Sequence, residues 1–146
     1  MKKILSAILT LTLLLFALTS CFGANDPEGN ATLVIATEEI QVYDLPLSKL
    51  SAGKGLLPAF EYLANKEGLE YDVSGTLINN VGGIENNYET NTFIYIYTSV
   101  EADFDVSEYK SEVEYEGKTL VSSGKGFSEM TLCDGAVIYI GTIVFQ

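Results

Sequence analysis

One segment alone, Leu56 to Glu67, repeats its apolar residues at helical spacing. Leu56, Ala59, Phe60, Leu63 and Ala64 fall on one stripe, the pattern of a helix that lays a single face on a core. Pro58 falls in the first turn, where its missing N–H costs little. Lys66 falls in the last turn, and Gly68 suits the left-handed residue that ends a helix. The other patterned segments read as strands. One helix among many short strands leaves few ways to close a core. The fold class expected is α+β, a β-grasp-like mixed sheet with one packed helix at about 56–67.

The strands are set by β-branched and aromatic runs between turn residues. Residues 31–45 (ATLVIATEEIQVYDL) read as two short strands broken near Glu38 and Glu39. Residues 71–84 are strand-like, with bends at Gly75 and at Gly82 and Gly83. Residues 91–100 (NTFIYIYTSV) and 136–145 (AVIYIGTIVF) are the strongest strands. Between them, Tyr115 to Thr119 reads as a hairpin turn and Ser122 to Gly124 as a further break. The two strong strands are apolar on both faces, so both faces should be covered. Phe93, Tyr95 and Tyr97 share one face of the first, Val137, Tyr139, Ile143 and Phe145 share one face of the second, and one helix covers only one side. The Tyr-bearing face is therefore expected to meet either residues 101–129, through Phe104, Tyr109, Tyr115 and Phe127, or an external partner.

The chain has 146 residues, and the first 20 read as a leader. Lys2 and Lys3 make a basic start, and Ile4 to Leu18 is apolar but short for a membrane span. It ends in Leu18-Thr19-Ser20-Cys21, similar to a bacterial lipobox. The expectation is cleavage before Cys21, thioether lipidation of its sulfur, and an extracytoplasmic domain anchored to the cell membrane through that lipid. Residues 21–30 would be the lipidated Cys and a tether, reaching roughly 30 Å when extended. Residues 31–146 would be the domain. With Cys21 lipidated, Cys133 has no partner within the chain and is expected to be a buried small hydrophobe, the alternative being a reactive thiol or an intermolecular disulfide.

Charge and absences remove whole classes of function. All eight basic residues are Lys, two of them in the leader, against 20 acids, and the net charge is −12. Nucleic acid is excluded, because its binding needs a basic surface that releases counterions. There is no His, Arg or Trp. That removes His-based acid–base and nucleophilic catalysis, His-ligated zinc and arginine fingers. Ser51 and Lys54 have the Ser-x-x-Lys spacing of penicillin-binding enzymes, but it recurs at Ser107/Lys110 and Ser122/Lys125, and the companion motifs are missing. No enzymatic activity is expected.

One oxygen-rich segment fits a calcium loop in part. Asp103, Asp105, Ser107, Ser111 and Glu114 occupy positions 1, 3, 5, 9 and 12 of such a loop. Position 6, which needs Gly for its sharp turn, is Glu108, and the flanks read as strand. Asp103, Asp105, Ser107 and Glu114 are nonetheless the residues that would hold calcium.

Several blocks together resemble the transcobalamin C-terminal-like domain family, over about residues 31–146. They are the helix start Leu56-Leu57-Pro58-Ala59-Phe60, the bend Val81-Gly82-Gly83-Ile84-Glu85-Asn86, the strand Thr92-Phe93-Ile94-Tyr95-Ile96-Tyr97, and the closing Leu132-Cys133-Asp134-Gly135-Ala136-Val137. Thr98-Ser99-Val100 stands where many members have Asn-Gly-Glu. The resemblance implies a β-grasp domain that binds a small ligand such as cobalamin or another corrinoid. Carried onto this chain, the contact residues would be Tyr95, Tyr97, Thr98, Ser99, Gly83 and Asn86. The second reading is a surface module that docks a protein or glycan on the aromatic strand face.

Overall fold

The computed structural model describes residues 28–145. The leader, Cys21 and most of the tether lie outside the described residues. The elements run β1 (Asn30–Ala36), β2 (Ile40–Pro46), α1 (Leu57–Glu67), β3 (Tyr71–Ser74), β4 (Leu77–Val81), β5 (Ile84–Glu85), β6 (Thr92–Thr98), β7 (Glu112–Tyr115), β8 (Lys118–Ser122) and β9 (Val137–Val144). Over the described residues the fold is α+β, mostly sheet with one α-helix. β1, β2, β6, β7, β8 and β9 form a six-stranded mixed sheet in the order β2-β1-β9-β6-β8-β7, and β3, β4 and β5 form a second, small sheet. Within the large sheet β1 and β9 pair in parallel, and the other pairs are antiparallel.

The helix forms where the stripe predicts. Ala59, Phe60 and Leu63 are buried against Leu33 and Ile35 of β1, Leu45 of β2, and Ile138 and Ile140 of β9. Pro58 lies at the start of α1, and Gly68 ends it at φ 75° with its N–H donating to Leu63 O. Phe60 is the largest fully buried side chain and stacks between Tyr71 at 5.5 Å and Phe127 at 6.2 Å. Its burial stabilises the fold by roughly 2–3 kcal/mol. No side chain caps the start of the helix; instead Leu56 N–H donates to Phe127 O at 2.8 Å. That bond ties the helix to the loop before β9.

Two hairpins carry the expected turns. β1 and β2 break at residues 37–39, and β7 and β8 turn through Glu116 and Gly117, both at positive φ. Two consecutive left-handed residues give the tight turn whose twist matches a hairpin.

The expected internal cover of the Tyr-bearing face is corrected. Residues 101–129 supply β7 and β8, which lengthen the large sheet edgewise rather than lying on it. Phe127 goes to the helix side, Tyr109 is 80% exposed, and Tyr115 joins the Tyr-bearing face from β7. Tyr95, Tyr97, Tyr139 and Tyr115 then pack edge to ring across that face, with centroids 5.6 to 6.1 Å apart. They shield Val34, Val137 and Leu120 beneath them. Among the described residues no helix or second sheet lies over this face.

Cys133 is also corrected. It is buried beside β9, as expected, but it is disulfide-bonded. The other cysteine of the chain, Cys21, lies outside the described residues. No helix among the described residues is long and apolar enough to cross a membrane.

Candidate ligand cleft at the edge of β6

β6 pairs with β9 along its whole length, from Thr92 to Thr98, but with β8 only at Tyr97 and Thr98. The remainder of its second edge borders a cleft of about 360 Å³. The cleft is floored by Ile78, Ile94, Ile96 and Phe127, and rimmed by Leu77, Tyr88, Phe93 and Tyr95. Thr76, Asn86, Ser123 and Lys125 add the polar groups. A largely apolar concavity with a few polar points is what a small organic ligand needs, and its volume lies at the lower end of such sites.

The cleft exists because β8 is drawn off β6 after Ser122. Ser123 N–H still donates to Ile96 O at 2.8 Å, but Gly124 N–H donates to Asp103 O and Asp105 N–H to Ser122 O. A Cβ on Gly124 would stand 3.0 Å from Phe104 O, so the two backbones are close here. On the opposite wall, Asn86 ties β4 to β6. Its Nδ2 donates to Ile78 O at 2.8 Å and its Oδ1 accepts from Ile94 N–H at 2.8 Å. Both ends of that amide are therefore committed to holding the wall.

Asp103 is the buried polar centre. Its side chain has no solvent exposure. It accepts from Thr131 N–H at 2.6 Å, from Thr131 Oγ1 at 3.1 Å, and from Lys125 Nζ at 2.5 Å. Lys125 remains a third exposed and lines the cleft. An ammonium has three N–H bonds, and the Asp103 contact uses one. The cleft thus carries a hydrogen-bond donor whose charge is neutralised from below. That arrangement suits a neutral or weakly acidic acceptor on an otherwise apolar ligand.

Of the residues carried over from the resemblance, Tyr95 and Asn86 line the cleft. Tyr97 stands on the Tyr-bearing face, its hydroxyl bonded by Ser111 Oγ at 3.3 Å. Thr98 is buried and accepts from Val100 N–H, and Ser99 Oγ accepts from Val137 N–H at 2.9 Å. Gly83 lies in the β4–β5 turn at φ 93°. Sequence reasoning missed Lys125, Tyr88, Phe93 and residues 76–78, which local patterns leave looking like ordinary loop and strand.

The four calcium candidates do not converge. Asp103 faces inward to Lys125 and Thr131. Asp105 closes an exposed turn by accepting from Ser107 N–H at 2.8 Å, which lowers its carboxyl below the ordinary range, and Ser107 Oγ accepts from Tyr109 N–H. Glu114 lies on β7 and accepts from Thr119 Oγ1 on β8. Among the described residues no three or more Cys, Asp or Glu side chains gather so as to hold a metal ion. The first Ser-x-x-Lys serine, Ser51, donates to Glu61 at 3.1 Å.

No family model and no curated protein matches the chain. Among solved structures, a protein from Ruminococcus gnavus ATCC 29149, described as a "putative metal binding protein", is similar in shape. The TM-score is 0.50 at 10% identity, over 82% of this chain and 100% of that one. The likeness concerns the fold alone.

Proposed function

We infer that the chain is a lipid-anchored extracytoplasmic lipoprotein, a non-catalytic β-grasp module that binds a small ligand in the β6 cleft. The parallel pairing of the first and last strands beside a single helix supports the β-grasp reading. The leader and Leu18-Thr19-Ser20-Cys21 support the anchor; in that lipoprotein the Cys21 sulfur carries the lipid, so the disulfide of Cys133 is not made to it. The observation that carries the binding role is the cleft itself, an apolar hollow with one neutralised ammonium at its wall. The transcobalamin-like resemblance makes a corrinoid the ligand to try first. A cleft of 360 Å³ does not enclose a whole corrinoid, so one edge or one side arm of the macrocycle enters it. Corrinoids carry peripheral amides, which are the neutral acceptors Lys125 suits. Metal binding is not carried over from the Ruminococcus protein, because no acidic cluster among the described residues supports it.

Calorimetric melting tests this reading. The chain from Cys21 onward, with cyanocobalamin at 100 times its dissociation constant, gains about 2.7 kcal/mol. For a domain of this size that is a rise of roughly 5–15 °C. Leu77→Trp fills the cleft from an exposed position and abolishes the rise. An identical melt with and without near-millimolar cyanocobalamin overturns the corrinoid assignment.

A further inference from the structure

The six-stranded sheet presents a face that the helix does not reach, and its chemistry is self-complementary. Within the strands, that face bears one acid, Asp44 on β2, and one base, Lys118 on β8. The assignment follows from register: Asp44 pairs with Thr32, two residues from Val34, and Lys118 lies four residues from Ser122, which pairs with Tyr97. Asp44 and Lys118 therefore stand near opposite edges of the sheet, toward the end where β1 begins. Between them lie the tyrosines, and Ile40 and Val42, 57% and 54% exposed, stand beside Asp44 on β2.

We propose that this face is the interface of a homodimer, with two copies packed sheet on sheet about a two-fold axis parallel to the strands. Such an axis exchanges the two edges and keeps the ends in place. It sets Lys118 of each copy one strand and two residues from the partner's Asp44, within reach of a lysine stem. It also sets Tyr139 over the partner's Tyr97, because β9 and β6 are the central strands. An axis across the strands would instead bring the two Asp44 side chains to one edge and the two Lys118 side chains to the other. Six strands about 4.8 Å apart and about 23 Å long give on the order of 500 Å² per copy. Two copies bury about 1,000 Å², the threshold of a specific interface and the size of a weak one. The chosen axis also leaves both Asn30 ends on the same side, so both copies can be anchored to one membrane. That last point rests on the lipoprotein reading; the interface itself does not, and it shares only Phe93 and Tyr95 with the rim of the cleft.

Photo-crosslinking in the full exported chain tests it. Benzoylphenylalanine replacing Tyr139 should yield a covalent dimer of this chain, and the same probe at Asp72, on β3, should not. Lys118→Asp places two acids together and should reduce the dimer band at least about fivefold. Adding Asp44→Lys to that variant should restore it, which separates lost docking from lost folding. A monomer band alone, a crosslink to a different protein, or a dimer indifferent to both substitutions overturns the proposal.

Discussion

Lys125 Nζ lies 2.5 Å from Oδ1 of Asp103, a carboxylate whose side chain is wholly buried. The pair joins the loop after β6 to the loop after β8, and Thr131 adds two further bonds from the approach to β9. The loop after β6 and two points of the loop between β8 and β9 are held by one group, and the cleft opens beside it.

Removing that group should be costly. Asp103→Asn presents an amide N–H₂ to two donors and leaves the ammonium without its counter-ion. We expect a loss of about 3–5 kcal/mol in urea unfolding. Lys125→Met leaves a wholly buried carboxylate without its counter-ion and should also cost about 3–5 kcal/mol. A loss under about 1 kcal/mol for Lys125→Met would show that the bonds from Thr131 alone satisfy the carboxylate.

Two glycines with nearly the same backbone angle should respond differently to alanine. Gly55 has φ 73°, and a Cβ there would fall 2.3 Å from Phe127 O. Gly68 has φ 75° and open space around it. Gly68→Ala should cost about 1 kcal/mol, the left-handed strain alone. Gly55→Ala should cost about 3 kcal/mol or more, since backbone must move from backbone. Thermal melts of both variants check the difference.

Phe60→Ala should be the most damaging single truncation on the helix. It removes the largest fully buried side chain and two ring contacts, at about 3–5 kcal/mol. Tyr62→Ala, at a half-buried position on the same helix, should cost under about 1.5 kcal/mol.

Tyr115 should titrate late in an alkaline titration. Burial, and then the neighbouring Glu116 carboxylate, raise its phenol above the ordinary 10.0. A raised folded value means the neutral phenol contributes stability below about pH 10, and that contribution is lost as pH climbs through the folded value. Absorbance near the phenolate band should show a delayed component that Tyr115→Phe removes.

Much of the architecture was legible because local chemistry and tertiary structure agree. The stripe from Leu56 to Ala64, the Gly68 stop and the Glu116-Gly117 turn each require only their neighbours, and each formed as read. The calcium pattern was unsafe for the opposite reason. Spacing alone cannot show that Asp103 turns inward toward a lysine 22 residues away. The cleft was half legible: Asn86 and Tyr95 line it, while Lys125 belongs to it only through β8 leaving β6. Tyr97 stays out of the cleft because β8 pairs with β6 at that residue and closes the edge.

Mass spectrometry of the amino-terminal peptide tests the anchor. Lipidation consumes the sulfur of Cys21, so a diacylglyceryl thioether there is the expected result. A peptide linking an unlipidated Cys21 to Cys133 by a disulfide would contradict it, since one sulfur cannot carry both bonds.

The central claim is that ligand enters at the edge of β6, and a nitrogen-15 amide titration reads that location directly. With cyanocobalamin added to the chain from Cys21 onward, the account predicts shifts at Ile78, Ile96, Lys125 and Gly126, with Val34 and Leu120 unmoved. Shifts confined to the Tyr-bearing face, or no shifts at saturating ligand, would contradict it.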